Sequence, residues 1–429
     1  MERFAYTADD LDYLATLCGH DGKPLFVAGF CKYLRTLHLS CDIDAVPEGT
    51  VVFPHEPLIR IKGPLLQCQL LETALLNMIN CPTLIATKAA RICLAARGEP
   101  VLEFGLRRAQ AMDGAVTASR AAYVGGCAAT SNVLAGKLFG IPVKGTHAHS
   151  WVMCFDCEPD AFAAYAKAMP NNVVLLVDTY NTLDGVRNAV EVGRQLRAVG
   201  HQLQGIRLDS GDLAYLSIEA RKILDEAGFP DTVIVASNDL DEEIIGSLKD
   251  QGATIGVWGV GTRLVTAYDQ PALGGVYKLS AIRTADPTAR WEHKIKLSEQ
   301  IAKTSIPGIL QVRRFRIGSE YRADMIFDEL IPPTSNDGVM IDPMDDTRRR
   351  TLPADAQSEN LLVPIFRQGR LVYAPPTLEA TRRRVQEQLA GFHPGIKRPV
   401  NPHLYPVGLE KGLFELRHEM ILKARGVTV

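Results

Sequence analysis

The stretch VVLLVDTYNTLDGVRNAVEVGRQLRAVGHQLQGIRLDSGD (residues 173–212) decides the fold class. It opens with an apolar run, Val173–Val177, that closes on the polar cluster Asp178-Thr179-Tyr180-Asn181-Thr182. A helical pattern over Gly185–Ala198 follows. A second apolar run, Gly205–Leu208, then closes on Arg207-Leu208-Asp209-Ser210-Gly211-Asp212. Strand, helix and strand at this spacing predict parallel pairing, because a parallel return needs a crossover of roughly a dozen residues. Strands rich in Val and Ile on both faces suit a sheet covered by helices.

The same grammar recurs on either side. Apolar runs at Val101–Phe104, Val233–Ala236, Thr254–Trp258 and Gly275–Leu279 read as strands, and Leu213–Ala227 and Leu240–Asp250 read as amphipathic helices. Three further polar clusters each close an apolar run: Gly145-Thr146-His147-Ala148-His149-Ser150-Trp151, Ser237-Asn238-Asp239 and Gly259-Val260-Gly261-Thr262. Chemistry hung at intervals on the ends of buried strands is how an α/β barrel builds an active site. Upstream, residues 47–63 read as short antiparallel strands and residues 66–97 as a helix that Pro82 breaks in two. Beyond residue 285 the pattern loosens. Residues 331–360 read as a surface excursion, followed by a short strand and a charged helix over Leu378–Leu389.

Composition sets the bounds. A chain of 429 residues favours two or three domains, and 46% apolar with 22% charged residues is ordinary for a soluble globular protein. A net charge of −2 gives no global field for nucleic acid or an anionic membrane, so neither is expected as a partner. No apolar run approaches a membrane span, and Met1-Glu2-Arg3-Phe4 does not open a secretory signal. Nine cysteines, none beyond Cys157, read as free thiols of a reducing compartment, which predicts a cytoplasmic protein. Cys154-Phe155-Asp156-Cys157 is a CxxC without a second pair or a histidine pair, a poor zinc signal.

Each cluster carries a chemical and a plainer reading. The glycines of Gly259–Thr262 let backbone N–H groups approach an anion, and Thr262 adds a hydroxyl; the alternative is a tight turn. Asp178 and Asp209, at strand ends, suit ribose hydroxyls, Mg²⁺ or a developing positive charge. Asp212, just ahead of a helix, reads as an N-cap, and Asp239 shares the carboxylate pattern. Arg207 points opposite to Ile206 and Leu208, toward the barrel mouth or an ion pair with Asp209. Phe104-Gly105-Leu106-Arg107-Arg108 offers an aromatic face and two cations. His147 and His149 lack a third ligand at metal spacing. Taken alone, a structural histidine is the default for either, with acid, base or nucleophile as the alternative.

Taken together these residues resemble the nicotinate phosphoribosyltransferase family. The resemblance is carried by Glu103–Ala109 (EFGLRRA), Thr130–Gly136 (TSNVLAG), the clusters at 145–150, 178–182, 208–212, 237–239 and 259–262, KTSIPG at 303–308 and NPHLYPV at 401–407. It runs through nearly the whole chain, with the motifs in order.

The resemblance implies an irregular α/β barrel of the type II phosphoribosyltransferase kind. A second α+β domain is expected from the N- and C-terminal parts, with residues 1–100 leading, 101–285 forming the barrel and 286–429 returning onto the N-terminal domain. It implies transfer of phosphoribosyl from phosphoribosyl pyrophosphate to nicotinate, giving nicotinate mononucleotide and pyrophosphate for NAD biosynthesis. Further implications are ATP hydrolysis coupled through a phosphorylated His149, Mg²⁺ as cofactor, and a homodimer.

By motif position, Asp178 and Asp209 serve the ribose and the metal. Ser237, Asn238, Gly259, Gly261 and Thr262 surround phosphate groups, and Arg107 meets phosphate or pyrophosphate. Phe104 and Arg207 sandwich the pyridine ring. Ser131 stands where the related nicotinamide enzyme carries an acidic residue.

Two departures go with the resemblance. The chain starts near Tyr6-Thr7-Ala8-Asp9-Asp10, downstream of a Thr-Asp-Leu-Tyr-type motif that family members carry, so an incomplete ring site is one expectation. Leu310 stands where a basic residue is usual. The competing readings are quinolinate phosphoribosyltransferase and an N-terminally truncated homologue with a binding or regulatory role. Ser131 yields a direct prediction: an uncharged hydroxyl accepts a carboxylate that an aspartate would repel. Purified protein should turn over nicotinate in preference to nicotinamide, and comparable rates with the two would contradict the assignment.

Overall fold

The computed structural model describes residue 2 and residues 4–299, 304–331 and 338–427. Lys303 of the KTSIPG stretch and residues 332–337 of the expected excursion lie outside them. The chain opens with helices α1 (Ala8–Thr16) and α2 (Ala28–Arg35), strands β1 (Asp42–Ala45) and β2 (Ile59–Lys62), and the long helix α3 (Leu65–Ala95). Contrary to the expected break, α3 runs straight through Pro82. Proline removes one N–H and so frees the carbonyl of Met78, but Met78 is 64% exposed and water can take that carbonyl. By length and composition α3 could cross a bilayer, yet Leu71, Ile85, Ala89 and Ile92 along it are buried in the protein's own cores.

The central layer follows the predicted alternation. Its elements are β3 (Val101–Glu103), α4 (Ala111–Gly125), β4 (Ala129–Thr130), α5 (Val133–Phe139), α6 (His149–Val152), α7 (Glu158–Ala168), β5 (Val173–Leu176), α8 (Thr182–Ala198), β6 (Leu203–Leu208), α9 (Leu213–Glu226), β7 (Val233–Asn238), α10 (Glu242–Asp250), β8 (Val257–Val260) and α11 (Thr262–Val265). The strands form one six-stranded parallel sheet in the order β4-β3-β8-β7-β6-β5. The expected α/β barrel is present as a curled half-barrel of six parallel strands. Val101, Leu175, Ile206, Ile234 and Trp258 are buried in its main apolar core beneath the helices. Gly275–Leu279, expected as a strand, is irregular, whereas the two-residue β4 was missed for want of an apolar run.

Register decides where the loops emerge. Glu103 lies opposite both Thr130 and Val260, Leu176 opposite Arg207, Leu208 opposite Ala236, and Asn238 opposite Val260. The carboxyl ends of all six strands thus sit at one edge, and every loop that leaves them opens on the same side.

Between edge strands β4 and β5 the seam is closed by coil. Thr130 N–H donates to the Pro142 carbonyl and Lys144 N–H to the Thr130 carbonyl, each at 3.0 Å. On the far side Leu176 N–H donates to His147 Nε2 at 3.2 Å. An imidazole here takes the place of a ladder carbonyl. The ring packs edge-on against Tyr165, 4.8 Å between centroids, and is 8% exposed.

The remainder forms, besides a two-stranded pair, two larger sheets. In one, β1 pairs with both β2 and β16 (Val363–Arg367) after the short hairpin β9 (Ala281–Ile282) and β10 (Glu292–His293) has been passed. The other contains β11 (Leu310–Ile317), β12 (Glu320–Asp328), β13 (Val339–Ile341), β14 (Arg349–Thr351), β15 (Gln357–Asn360) and β18 (Val407–Glu410), in the order β14-β13-β18-β12-β11-β15. Within the stretch 338–360, expected as part of an excursion, β13 lies inside the sheet and the remaining strand is edge. Its sequences, RRT and QSEN, are wholly exposed and carry no apolar alternation. The fold closes with β17 (Arg370–Leu371), α12 (Leu378–Gly391) and α13 (Lys411–Ala424).

His147 can accept from Leu176 only while Nε2 is unprotonated. Burial, with the charge of Arg207 and the neighbouring His149, holds its pKa below the ordinary 6.5. The folded state therefore binds fewer protons than the unfolded chain just below pH 6.5. The contribution of His147 is fully present above that pH and is lost as pH falls toward the lowered value. His147→Ala should cost about 1–3 kcal/mol at pH 7.5 through the orphaned amide. In urea titrations, the gap between wild type and variant should narrow between pH 7 and 5, and a constant gap would contradict the tautomer.

Candidate active site

At the carboxyl edge of the half-barrel, β5 delivers Asp178 two residues past its end and β6 delivers Asp209 one residue past its own. The Asp178 side chain is 1% exposed. Its Oδ2 accepts from Asp209 N–H at 2.9 Å and from the Ser210 hydroxyl at 2.6 Å, while Oδ1, also buried, has no hydrogen-bond partner among the described residues. Burial alone would raise the pKa of Asp209, but the Ser237 hydroxyl and the Arg207 guanidinium outweigh it and hold the carboxyl below its ordinary range. Both carboxylates face His149. Its Nε2 stands 3.8 Å from Asp178 Oδ1 and 3.7 Å from Asp209 Oδ2, and its Nδ1 is 3.1 Å from the Thr179 hydroxyl. His149 opens α6, so sequence position and fold together aim its free nitrogen at the two acids.

Arg207, inside β6, uses all three guanidinium nitrogens. Nε donates to Ser237 Oγ (2.7 Å), one terminal nitrogen to Thr146 Oγ1 (2.7 Å) and the other to Asp209 Oδ1 (2.8 Å). This fork is more than an ion pair: it ties the ends of β6 and β7 to the segment that closes the seam. Ser237 is 4% exposed and its hydroxyl donates to Asp209, so it belongs to the carboxylate cluster. The guanidinium carbon lies 5.7 Å from the centroid of the Phe104 ring. Two stacked contacts of about 3.5–4.0 Å need about 7–8 Å. A flat ring enters between them only if the pair parts by one to two ångströms.

The Phe104 ring lies across the Cα of Gly259, where an added Cβ would sit 2.8 Å from it, and Gly261 abuts the Phe104 carbonyl. The glycines of the 259–262 loop thus make room for Phe104 as well as exposing backbone. Thr262 begins the four-residue α11 with Gly261 as its cap. Asn238 ends β7 at a φ of 136°, an unusual backbone for a residue with a side chain, and is exposed beside the mouth. Arg107 is exposed in a short 3-10 turn after β3, and Ser131 follows β4, its N–H donating to the Glu103 carbonyl at 2.9 Å.

The structure thus gathers Phe104, His149, Asp178, Arg207, Asp209 and Ser237 through hydrogen bonds and short approaches. The other candidates share the edge without direct side-chain links to that group. Asp212 caps α9 through the Tyr215 N–H, as expected, and Asp239 is exposed. Leu310 opens β11, and its carbonyl accepts from Arg60 at 3.0 Å. Two residues escaped sequence reading. Thr146 carries no signal beyond its place in the 145–151 cluster, and Glu103, though quoted within its motif, was given no role.

Among the described residues no group of three His, Cys, Asp or Glu side chains could hold a metal on its own, and Cys154 and Cys157 are free. A lone buried oxygen on Asp178 beside a second carboxylate does fit Mg²⁺, which is commonly held by one or two carboxylates and completed by substrate phosphates.

The chain is similar to known proteins along nearly its whole length. Residues 1–80, 100–324 and 311–417 match the N-terminal domain, the family description and the C-terminal domain of nicotinate phosphoribosyltransferase (NAPRTase). The nicotinate phosphoribosyltransferase of Bacillus subtilis is 43% identical over 98% of this chain and 84% of its own length, and that of Homo sapiens 34% over 94% and 84%. The crystal structure of human nicotinic acid phosphoribosyltransferase superposes with a TM-score of 0.83 at 31% identity, covering 98% of this chain and 90% of that one. A nicotinate-nucleotide pyrophosphorylase from Pyrococcus furiosus gives 0.65 at 26%, over 85% and 84%. With relatives this similar along nearly its whole length, the chain belongs to the nicotinate phosphoribosyltransferase family.

Proposed function

We propose that the protein joins nicotinate to phosphoribosyl pyrophosphate, releasing pyrophosphate and forming nicotinate mononucleotide for NAD biosynthesis. The observation that carries this is the cluster of Asp178, Asp209 and His149 beside Phe104 and Arg207, in a member of this family. As the bond from ribose to pyrophosphate lengthens, positive charge grows on the sugar. Asp209, held ionised by Ser237 and Arg207, and the buried oxygen of Asp178 are placed to stabilise it without reorganising. The pyridine nitrogen attacks with its own lone pair and needs no base. Phe104 and Arg207 orient the ring, and Ser131 meets its carboxylate. Arg107, Asn238 and the Gly259–Thr262 loop take the phosphate groups, with Ser237 supporting from within the carboxylate cluster. Asp178 and Asp209 would hold Mg²⁺, which would supply charge neutralisation for the pyrophosphate leaving group.

We further propose that His149 is the acceptor of a phosphoryl group from ATP. Thr179 occupies Nδ1, which supports Nε2 as the nucleophile. A phosphoryl group there would face two carboxylates within about 4 Å, so its arrival strains the site and its hydrolysis relaxes it. Such a cycle links ATP hydrolysis to substrate affinity. Exposed Leu65, Leu66 and Met78 on α3 and Val133, Leu134 and Leu138 on α5 support a homodimer by offering apolar surface to a second copy. The nine free thiols support a cytoplasmic location.

The decisive measurement is nicotinate mononucleotide formation with and without ATP in wild type and His149→Ala. The variant should lose ATP stimulation and ATP hydrolysis while keeping basal transfer. Undiminished stimulation would remove His149 from the coupling, and absence of any transfer by the wild type would remove the activity itself.

A further inference from the structure

Glu103 is the last residue of β3 and its side chain is almost fully enclosed, at 1% exposed. A carboxylate so buried ordinarily needs a cation, yet among the described residues it forms no ion pair. Donors take the cation's place. Oε1 accepts from Gly105 N–H; Oε2 accepts from the hydroxyls of Ser119 at 2.8 Å and Thr130 at 2.5 Å. The main chain adds a fourth link, Ser131 N–H to the Glu103 carbonyl. Asn132 braces the set from behind, its N–H donating to Thr130 Oγ1 at 2.9 Å and its side-chain amide to Ser119 Oγ at 3.2 Å.

The position of these donors in sequence is what matters. Gly105 directly follows Phe104, and Thr130 directly precedes Ser131. One buried carboxylate therefore grips the loops after β3 and β4, each within one residue of a side chain assigned to the pyridine ring. Among the described residues no other side-chain hydrogen bond joins the two loops.

We propose that Glu103 is a positioning residue that sets the spacing of Phe104 and Ser131, and so the affinity and acid preference of the pyridine site. This rests on the placement of those two residues at the ring. Gly105 N–H can only donate, so Oε1 must accept; at Oε2 the hydroxyls of Thr130 and Ser119 converge, Ser119 sharing its proton with the Ala115 carbonyl at 2.9 Å. A glutamine in its place sets an amide N–H either against Gly105 N–H, where two donors meet, or against the hydroxyls, which must then turn their protons away, and so breaks part of the grip while conserving volume.

The test is steady-state kinetics of Glu103→Gln and Thr130→Val with nicotinate, nicotinamide and phosphoribosyl pyrophosphate, alongside Ser131→Asp and Phe104→Ala. Glu103→Gln should raise KM for nicotinate roughly tenfold, the loss of about one charge-assisted hydrogen bond. KM for phosphoribosyl pyrophosphate should stay within about twofold, and the preference for nicotinate over nicotinamide should shrink. Thr130→Val should move the same quantities less, and the double variant should show less than the product of the two effects. Equal rises in both KM values, or a lowered melting temperature with unchanged KM, would overturn the proposal. If Glu103→Gln does not fold, Thr130→Val decides alone by the same criteria. Should Ser131→Asp and Phe104→Ala leave nicotinate KM untouched, the ring site itself is misplaced. If those two act and the Glu103 and Thr130 variants do not, only the positioning role fails.

Discussion

Parallel pairing is the constraint on which everything else rests. Strands that run the same way must be joined by crossovers, and the crossovers here are helices that cover the sheet on its buried face. In-register pairing then leaves six carboxyl ends at one edge. Glu103, Thr130, Leu208 and Val260 are the last residues of their strands, and the chemistry begins immediately beyond them. Residues as far apart in sequence as Phe104 and Gly259 come into van der Waals contact for this reason alone.

Within that edge, two acids are handled in opposite ways. Asp209 is matched by a guanidinium and a hydroxyl, so its charge is neutralised locally and its orientation fixed. Asp178 satisfies one oxygen with Asp209 N–H and Ser210 and leaves the other bare toward His149. An orphaned buried oxygen is costly, and its persistence at a strand end fits a site that completes itself with something brought from outside. Glu103 shows the third solution, a carboxylate surrounded by neutral donors. It serves shape, whereas the other two serve charge.

The layout of the catalytic half was legible because its strands are apolar on both faces and its loops are short. Val173–Val177 and Gly205–Leu208 gave the period, and Asp178 and Asp209 stood out by breaking it. The rest was hidden for identifiable reasons. Two-residue β4 is held by its neighbours and has no pattern of its own. Strands β14 and β15 are polar edges, so alternation says nothing about them. Pro82 is tolerated where Met78, the residue whose carbonyl it frees, is exposed, a fact of packing. Glu103 was overlooked because a glutamate beside an apolar run looks like an ordinary strand end, and only three-dimensional pairing shows that its neighbours are all donors. His147 and His149, indistinguishable as residue types, are separated by what faces them: a backbone amide for one, two carboxylates for the other.

The join between β4 and β5 differs in kind from the other joins of the half-barrel. Elsewhere adjacent strands are stitched by ladders, whereas here one residue on each side carries the load, and on one side the stitch is a side chain. In mechanical terms the wall has a single compliant panel. The same short segment holds Thr146, which Arg207 grips, and leads directly into His149. The imidazole, the seam and the Arg207 face opposite Phe104 are thus joined by one short run of contacts, and the 5.7 Å between the guanidinium carbon and the ring centroid lies at its far end.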